Sequence, residues 1–237
     1  MKAIRIELYQ PSASYRVKNS YVLRHSYPLP PFSSVIGMIH AACSFTEYHP
    51  MRIAIEGTNA STHSDLSTAY FFGGVKFDSG RHQMKVRNLK KEGEYIGITQ
   101  GTAQTQILTD INLRIYICPE HEEDFLTIYE HLRHPDVYLS LGRYEDIVQI
   151  KSVDITELMP IDKDENEYGF YGFTYIPVNN IESTILGTMY DINKKFSYDK
   201  SKKRIWDEVI KCIYSNDCSD LKNLLCDTEK ENLVILA

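Results

Sequence analysis

The order of periodic segments along the chain is the feature that most restricts its fold. Residues 2–9 (KAIRIELY) alternate between charged or polar and apolar side chains, which predicts a half-buried strand. The segments that follow predict a helix at about 33–45, strands at 51–56 and 66–77, a strand at 107–118, a helix at 120–132 and a strand at 147–155. This order is the ferredoxin-like arrangement, in which two crossover units form one antiparallel sheet with both helices on one face. We therefore expect an α+β fold.

A long polar segment, residues 78–105, interrupts the third strand of this series before it continues at Ile107. The segment is basic, contains glycine and shows little periodicity. Loops of this length are uncommon in a compact domain and are usually functional or mobile. We expect a domain at 1–158 that carries this long insertion, followed by a mostly β extension at 159–237.

The C-terminal extension has a less definite pattern. Runs at 170–178 and 184–190 are typical of strands. The run 204–214 fits a helix by periodicity, whereas its β-branched residues also allow a strand. A turn-forming run that starts at Asp227 separates two apolar runs and predicts a terminal hairpin.

The five cysteines argue against both a disulfide framework and a zinc site. Their number is odd and no pair has the CxxC spacing. The histidines are scattered without ligand spacing, so we expect neither a metal nor a cofactor. The N-terminus has no signal-like apolar block, and no run approaches the ~20 apolar residues that span a membrane. A reducing cytoplasm fits these features best.

Charge is distributed unevenly along the chain. The net charge is −6, but residues 1–26 and 76–94 are basic, and acid is concentrated in the runs EHEED from Glu120 and DKDENE from Asp162. A basic front with an acidic back fits a protein that holds nucleic acid on one face. It also fits an ordinary soluble protein whose charges are solvated. The 17 tyrosines leave a similar choice between stacking surfaces and half-buried strand positions.

Three stretches, in this order, resemble the Cas-five family of CRISPR-associated proteins, which is part of the RAMP superfamily. The run YPLPPFSSVIG from Tyr27 is similar to the family's helix start, where proline and a small hydroxyl residue precede glycine. The run TQILTDINLRIYI from Thr105 resembles the strand after the family's protruding thumb loop. The run LSLGRYEDIV from Leu139 resembles its glycine-turn signature, and the Asp227 hairpin resembles the family's ending.

The resemblance implies a ferredoxin-like (RRM-like) RAMP fold with a thumb insertion, and a role in antiviral defence. Proteins of this family cap the foot of type I Cascade, hold the 5′ handle of its CRISPR RNA, and contact its backbone subunit and its large subunit. The thumb packs against the neighbouring backbone subunit and over the RNA. Target DNA is a further candidate partner. Guide pairing reads the target sequence, while protein subunits grip shape and backbone.

The residues themselves offer the chemistry that single-stranded RNA requires. Phosphates need cations, bases need aromatic faces, and base edges and 2′-hydroxyls need hydrogen-bonding groups. The candidate RNA-binding residues are Tyr15, Arg16, Lys18, Arg24, His25, Tyr27, Ser33, Ser34, Arg81, Lys85, Arg87, Lys90, Lys91, Gln104, Gln106 and Arg143.

Some of these candidates also have a simpler structural explanation. Ser33 or Ser34 can be only a helix N-cap, although exposed amides at a helix start can bind a phosphate. Arg143 can pair with a phosphate in two-pronged fashion, or only with one of the two acidic residues that follow it. Gly37 lowers helix stability relative to alanine, and either close packing on the sheet or approach of a phosphate would explain it.

One branch of the family cuts precursor CRISPR RNA without metal, using a Tyr, Lys and His set. Such chemistry needs an acid and a base within reach of one phosphate. The adjacent basic pair in the insertion is Arg81–His82 rather than Lys–His, and arginine is a poor proton shuttle. We therefore expect a non-catalytic protein, with a metal-independent endoribonuclease as the alternative. A second alternative is a ferredoxin-like protein-interaction module or small-molecule sensor that binds no RNA.

Overall fold

The computed structural model describes residues 1–18, 20, 23–161 and 168–237. The acidic run that starts at Asp162, together with Asn19, Tyr21 and Val22 of the 11–27 loop, lies outside the described residues. The helices are α1 (Phe32–Cys43) and α2 (Glu122–Arg133). The strands are β1 (Lys2–Ala13), β2 (Tyr15–Arg16), β3 (Leu23–Arg24), β4 (Ser26–Tyr27), β5 (Met51–Thr58), β6 (Ser61–Lys76), β7 (Met84–Arg87), β8 (Tyr95–Pro119), β9 (Gln149–Pro160), β10 (Phe173–Pro177), β11 (Thr188–Tyr198), β12 (Arg204–Ser215), β13 (Leu225–Asp227) and β14 (Asn232–Val234).

The centre of the fold is a mostly antiparallel sheet with two helices, so the α+β prediction is confirmed. Its middle strands pair in the order β9, β1, β8, β5, and every neighbouring pair is antiparallel. α1 lies in the chain between β1 and β5, and α2 connects β8 to β9. Phe32 and Ile39 of α1 share one apolar core with Ile128 and Leu132 of α2 and with Ile6 of β1. The two helices therefore cover the same face of the sheet.

The terminal hairpin predicted at Asp227 is confirmed, and it covers the opposite face. β13 pairs with the end of β9 and with β14. The carboxylate of Asp227 accepts hydrogen bonds from Arg5 at 2.6 Å, Thr156 at 2.8 Å and Tyr116 at 3.0 Å. Burial disfavours the charged carboxylate, but the bonds from Arg5 and Thr156 outweigh it and lower the pKa of Asp227. The hairpin is thus fixed to three strands of the sheet by one buried anion.

The ambiguous run 204–214 is a strand. β12 pairs with β11 on one side and with β10 on the other, and β10 in turn pairs with β5. Its β-branched residues suit this pleated position between two neighbours. The C-terminal strands therefore extend the same sheet at both ends instead of forming a second one.

The prediction of a loop at 78–105 is wrong for most of that segment. β8 runs without a break from Tyr95, β6 pairs with it from Ser61↔Thr109 to Phe72↔Ile98, and β7 pairs with its first residues. The strand predicted at 66–77 overlaps β6 and is confirmed there. Most of the side chains of β6 and β7 are exposed, so no apolar alternation marked β7 as a strand. Ladder hydrogen bonds hold this ribbon together, and they leave no signal in the side-chain pattern. We call β6, β7 and the N-terminal part of β8 the ribbon.

Within the part of the chain that the structure describes, no helix is both long enough and apolar enough to cross a membrane.

The buried carboxyl group of Glu56 leads us to predict that the folded chain becomes less stable as the pH rises. The side chain is fully buried and accepts hydrogen bonds from Asn232 and from the backbone of Tyr171. Burial raises the pKa of Glu56 from 4.5 to about 8. Between these values the folded protein holds a proton that the unfolded chain has lost, so the free energy of unfolding decreases with pH.

We expect the wild-type chain to lose on the order of a few kcal/mol of stability between pH 5 and pH 8, and Glu56→Gln to lose much less. Urea denaturation at the two pH values measures this difference. Glu157→Gln is the matched control because Glu157 is exposed. Equal losses in wild type and Glu56→Gln would contradict the assignment.

Candidate functional site

A groove runs along the start of α1 and has a volume of about 420 Å³. Its walls are the loop that precedes α1, the glycine-turn loop after α2, and the hairpin of β11 and β12. Four predicted residues line it, and so do several residues that were not predicted. The lining includes Arg16, Tyr27, Ser33, Ser34, Gly37, Tyr138, Gly142, Phe196, Arg204 and Trp206. We call this cavity the α1 groove.

The start of α1 presents backbone amides that no side chain caps. The helix begins at Phe32, and its N-cap is Pro31, which has an extended backbone and no side-chain hydrogen bond to the helix. The N-cap role considered for Ser33 or Ser34 is therefore wrong, because both lie inside the first turn. Both are half-buried and line the α1 groove. The amides of Ser34 and Val35 donate to the carbonyl oxygen of Pro31. The earlier amides and the helix dipole favour an anion at such an end.

Gly37 also lies in the wall of the α1 groove. A methyl group added at its Cα would have nothing within 4 Å. Close packing of Gly37 on the sheet is therefore wrong as an explanation, because the residue is exposed on the outer side of α1. The other explanation, room for an approaching phosphate, stays a prediction.

The β11–β12 hairpin supplies aromatic rings that sequence reasoning missed. Phe196 packs edge-to-face with Trp206 at 5.7 Å between ring centroids and with Tyr198 at 5.4 Å. The guanidinium carbon of Arg204 lies 4.5 Å from the centroid of Phe196. Trp206 is the single tryptophan of the chain, and that rarity was a usable signal. The uncertain structure of run 204–214 concealed it, since a helix would not have placed Trp206 opposite Phe196.

In the loop before α1, the two predicted tyrosines are buried, whereas the predicted arginine at position 16 is exposed. Tyr15 is 1% exposed and donates its hydroxyl to Gln10 at 2.7 Å, and Tyr27 is also buried, with its ring edge against Tyr190. Burial raises the pKa of both phenols. The ring of Tyr15 is thus committed to the core and cannot stack on a base. Arg16 is exposed and donates to the backbone carbonyl of Ser20.

The same loop is attached to the base of the ribbon. Arg24 is half-buried in β3, which pairs in parallel with β8 at Gln104 and Thr105. Gln106 accepts a hydrogen bond from the backbone N–H of Ser26 at 2.9 Å. Lys18 and His25 are exposed, as is Gln104 on the ribbon. The loop therefore connects the α1 groove to the ribbon.

Arg143 forms the ion pairs that sequence analysis left as its simpler alternative. Its guanidinium pairs with Asp146 at 2.7 Å and with Glu145 at 3.0 Å, and the hydrogen bond that it donates to Asp146 is the main reason that the pKa of Arg143 is raised. Asp146 also accepts the backbone N–H of Ser14 at 3.0 Å. Arg143 and Asp146 thus connect the glycine-turn loop to the loop before α1. The guanidinium of Arg143 is already paired with carboxylates.

The ribbon has two chemically different faces. Directly paired residues of a ladder share a face, and the register places Leu66, Tyr70 and Phe72 on the same side as Met84 and Val86. Leu66 and Phe72 are each 70% exposed. A row of exposed apolar side chains of this kind is typical of a surface that contacts another macromolecule.

The opposite face of the ribbon is cationic and aromatic. Lys85 and Arg87 alternate with the apolar residues of β7 and pair with Gly97 and Tyr95. The ammonium of Lys85 lies 4.7 Å from the ring centroid of Tyr95. Of the other predicted cations, Arg81, Lys90 and Lys91 lie in the turns that flank β7, and Lys91 is 3.9 Å from Glu94.

The predicted residues therefore form two groups. Arg16, Tyr27, Ser33 and Ser34 meet in the α1 groove, and the Lys and Arg residues of residues 81–91 gather on the ribbon. In the described part of the chain, no three histidine, cysteine, aspartate or glutamate side chains are placed to hold a metal ion. The arrangement can bind an anionic chain with unstacked bases, because cations, aromatic rings and helix amides converge.

A comparison with models of protein families identifies one family. A family model described as "CRISPR-associated protein (Cas_Cas5)" matches residues 3–211. In a search of the curated proteins, nothing matches the chain.

Among solved structures, the chain is similar to one described as "CRISPR RNA-guided surveillance complex", with a TM-score of 0.56 and 16% identity over 90% of this chain and 89% of that one. A CRISPR protein from Archaeoglobus fulgidus has a TM-score of 0.45 and 10% identity over 100% and 99% of the two chains. A chain of the Type III-B Cmr-beta complex bound to cognate target RNA and AMPPnP has a TM-score of 0.45 and 11% identity over 98% of each chain. The first of these likenesses supports the fold.

The glycine-turn loop gives a prediction on stability. Gly142 has φ of +111°, and a methyl group there would lie 2.8 Å from Asp146 and 3.0 Å from the carbonyl oxygen of Ser14. We expect Gly142→Ala to lower the free energy of unfolding by about 1–3 kcal/mol. Gly37→Ala is the matched control, and we expect it to raise stability by up to ~1 kcal/mol because nothing obstructs the methyl group in that helix. Urea denaturation of both variants measures this, and changes of the same sign would contradict it.

Proposed function

The chain belongs to the Cas-five family of CRISPR-associated proteins, and from that premise we propose that it is a non-catalytic subunit of a type I CRISPR surveillance complex. In this role it holds the 5′ handle of CRISPR RNA in the α1 groove and joins the backbone subunit to the large subunit. The observation that carries the proposal is the convergence, in one groove, of uncapped helix amides, Arg16, Arg204 and the rings of Phe196 and Trp206.

The groove suits single-stranded RNA because each of its parts meets a different part of a nucleotide. The amides of the first turn of α1 bind a phosphate, and Arg16 and Arg204 lie at its walls to neutralise neighbouring phosphates. Trp206 and Phe196 offer ring surfaces to unstacked bases. Gly37 leaves space along α1 for the sugar–phosphate chain.

We infer that the core is the ferredoxin-like unit of the RAMP superfamily. The neighbours β9, β1, β8 and β5 are the fourth, first, third and second strands in chain order, with α1 and α2 on one face. The ribbon then occupies the place of the thumb. Its apolar face packs on the backbone subunit, and its cationic face lies over the RNA.

A second candidate function, metal-independent cleavage of precursor CRISPR RNA, is favoured by one cluster on the cationic face of the ribbon. The ring of His82 packs against Gly97, and Lys85, the strand partner of Gly97, contacts Tyr95. A histidine, a lysine and a tyrosine are thus neighbours. The Nδ1 atom of His82 lies 3.0 Å from the backbone nitrogen of Asp78 and 3.1 Å from its carbonyl oxygen, which leaves Nε2 for proton transfer.

We expect Trp206→Ala to weaken binding of a labelled single-stranded RNA that carries the repeat-derived 5′ end. The loss of one stacking surface corresponds to about 1–3 kcal/mol. Arg204→Gln should weaken binding and reduce the slope of log K against log salt by about one, because one phosphate contact is lost. Fluorescence anisotropy across a salt series measures both effects. Tyr144→Ala is the matched control, since Tyr144 is exposed and does not line the α1 groove.

Two results would contradict the RNA role. Binding that is insensitive to salt would favour an interaction module without RNA. Equal effects of Trp206→Ala and Tyr144→Ala would remove the α1 groove from the proposal, even if the chain bound RNA elsewhere.

We expect the purified chain to leave repeat RNA uncut in the presence of a chelator. Gel analysis of end-labelled RNA measures this outcome, with His82→Ala and Lys85→Ala as comparison variants. A single specific cut that both variants abolish would reverse the assignment and establish the endoribonuclease. A cut that neither variant changes would indicate a contaminating nuclease.

A further inference from the structure

One edge of the main sheet is open along most of a strand. β9 pairs with β1 from Lys2↔Glu157 to Tyr9↔Gln149. On its other side, β13 pairs with β9 only from Leu158 onward. Among the described residues, no strand pairs with the outer edge of β9 before Leu158. This unpaired stretch, residues 152–157, is the open edge.

The ladder determines which backbone groups face outward. The N–H of Leu158 donates to Met1 on the β1 side, and the N–H of Ile161 donates to Leu224 on the outer side. Groups alternate along an antiparallel strand, so Val153 and Ile155 direct their N–H and C=O outward. Unpaired groups in such a row are a template for another extended chain.

The open edge is bordered by a channel under one side of α2. Two cavities lie along it, one of about 850 Å³ between Tyr129, Arg133 and residues 150–154, and one of about 360 Å³ between Phe125, Leu126 and Ile155. Leu126 is 64% exposed and Ile155 is 41% exposed. A helix beside an open strand forms a slot that gives apolar pockets to alternate side chains of an added strand.

The bulge, the lysine and the proline of β9 that oppose edge-to-edge pairing lie at its two ends. The register shifts by one residue at Lys151, which forms a bulge, and Pro160 lies where β13 already pairs. Lysine, proline and bulges are the usual means of blocking a strand edge. Between them, six residues remain open, which is the length of a short peptide strand.

Charge along α2 determines which end of an antiparallel ligand should be basic and which acidic. The first turn of α2 contains Glu122 and Glu123, and its last turn contains His131 and Arg133. The acidic end lies beside Ile155 and the basic end beside Ile150. An antiparallel ligand on β9 therefore places its N-terminal end at the acidic turn and its C-terminal end at Arg133.

We propose that the open edge of β9 binds an extended segment of a partner protein by antiparallel strand addition. The segment has alternating apolar side chains, basic residues at its N-terminal end and acidic residues at its C-terminal end. This site is separate from the lysines and arginines of the ribbon and does not depend on RNA binding.

The probe for the test is an acetylated and amidated peptide, KKVTVTVDD. Titration with the labelled peptide and backbone hydrogen exchange of the full chain measure binding and its location. We expect the amide of Ile155 to gain about tenfold protection. Ile155→Pro removes an outward N–H and no β1 ladder bond, so we expect it to weaken binding by about tenfold or more, whereas Ile155→Ala keeps the N–H and should weaken it by a smaller factor.

Arg133→Glu gives an independent test in a variant whose backbone ladder is intact. We expect the wild-type chain to bind KKVTVTVDD more tightly than KKVTVTVKK, and the variant to bind KKVTVTVKK more tightly. Equal losses for Ile155→Pro and Ile155→Ala, with no exchange of preference in Arg133→Glu, would overturn the proposal.

Two other occupants are distinguishable in the same experiments. Dimerisation of the chain alone, abolished by Ile155→Pro, would assign the edge to a second copy and overturn the proposal. Protection of β9 by single-stranded RNA in place of the peptide would overturn it as well.

Discussion

The backbone ladder of β8 is the constraint on which the rest of the structure depends. The strand contains 25 residues, which corresponds to roughly 80 Å of extended chain. Its C-terminal half is buried between β1 and β5 and contributes Leu113, Ile115 and Ile117 to the apolar core. Its N-terminal half pairs with β6 and β7 beyond that core. One strand thus fixes the ribbon rigidly to the domain without any loop between them.

The opposite face of the sheet depends on buried polar groups as well as on a small apolar cluster. Asp227 joins Arg5, Tyr116 and Thr156, and Asn232 joins Glu56. A buried carboxylate is stable only when its hydrogen-bonding capacity is filled, so the terminal hairpin can dock in one position alone. The position of the hairpin also limits the open edge, because β13 pairs with the outer side of β9 from Leu158 onward.

The sequence predicted those parts of the fold in which the spacing of apolar side chains reflects burial against the core. An apolar core lies beneath both helices, the buried half of β8 and the Asp227 hairpin. Packing on that core requires apolar side chains at regular spacing. The ribbon has no such core, so β7 and the start of β8 were predicted as a loop, and of its strands only β6 was predicted, at 66–77. Contacts between distant residues left no pattern either. Arg5 and Asp227 are 222 positions apart, and the pairing of Phe196 with Trp206 required knowing that run 204–214 is a strand.

The candidate site was predictable in residue type but only partly in position. Arg16, Ser33 and Ser34 do meet in one groove, whereas Tyr15 is committed to the core. Sequence patterns cannot distinguish a tyrosine that faces solvent from one that faces the core, as Tyr15 does, because strands favour tyrosine at both kinds of position.

The loop before α1 gives these separate surfaces a physical connection. Tyr15 donates its backbone N–H to Ser26, Ser26 donates its own to Gln106, and β3 pairs with β8 at Gln104. A displacement of the ribbon base therefore acts on the segment that carries Arg16 and Tyr27 into the α1 groove. Because these bonds connect the two surfaces, a ligand that fixes one of them reduces the entropy that is lost when a second ligand binds at the other. Under the proposed function, RNA in the groove and a partner on the ribbon should consequently favour each other's binding.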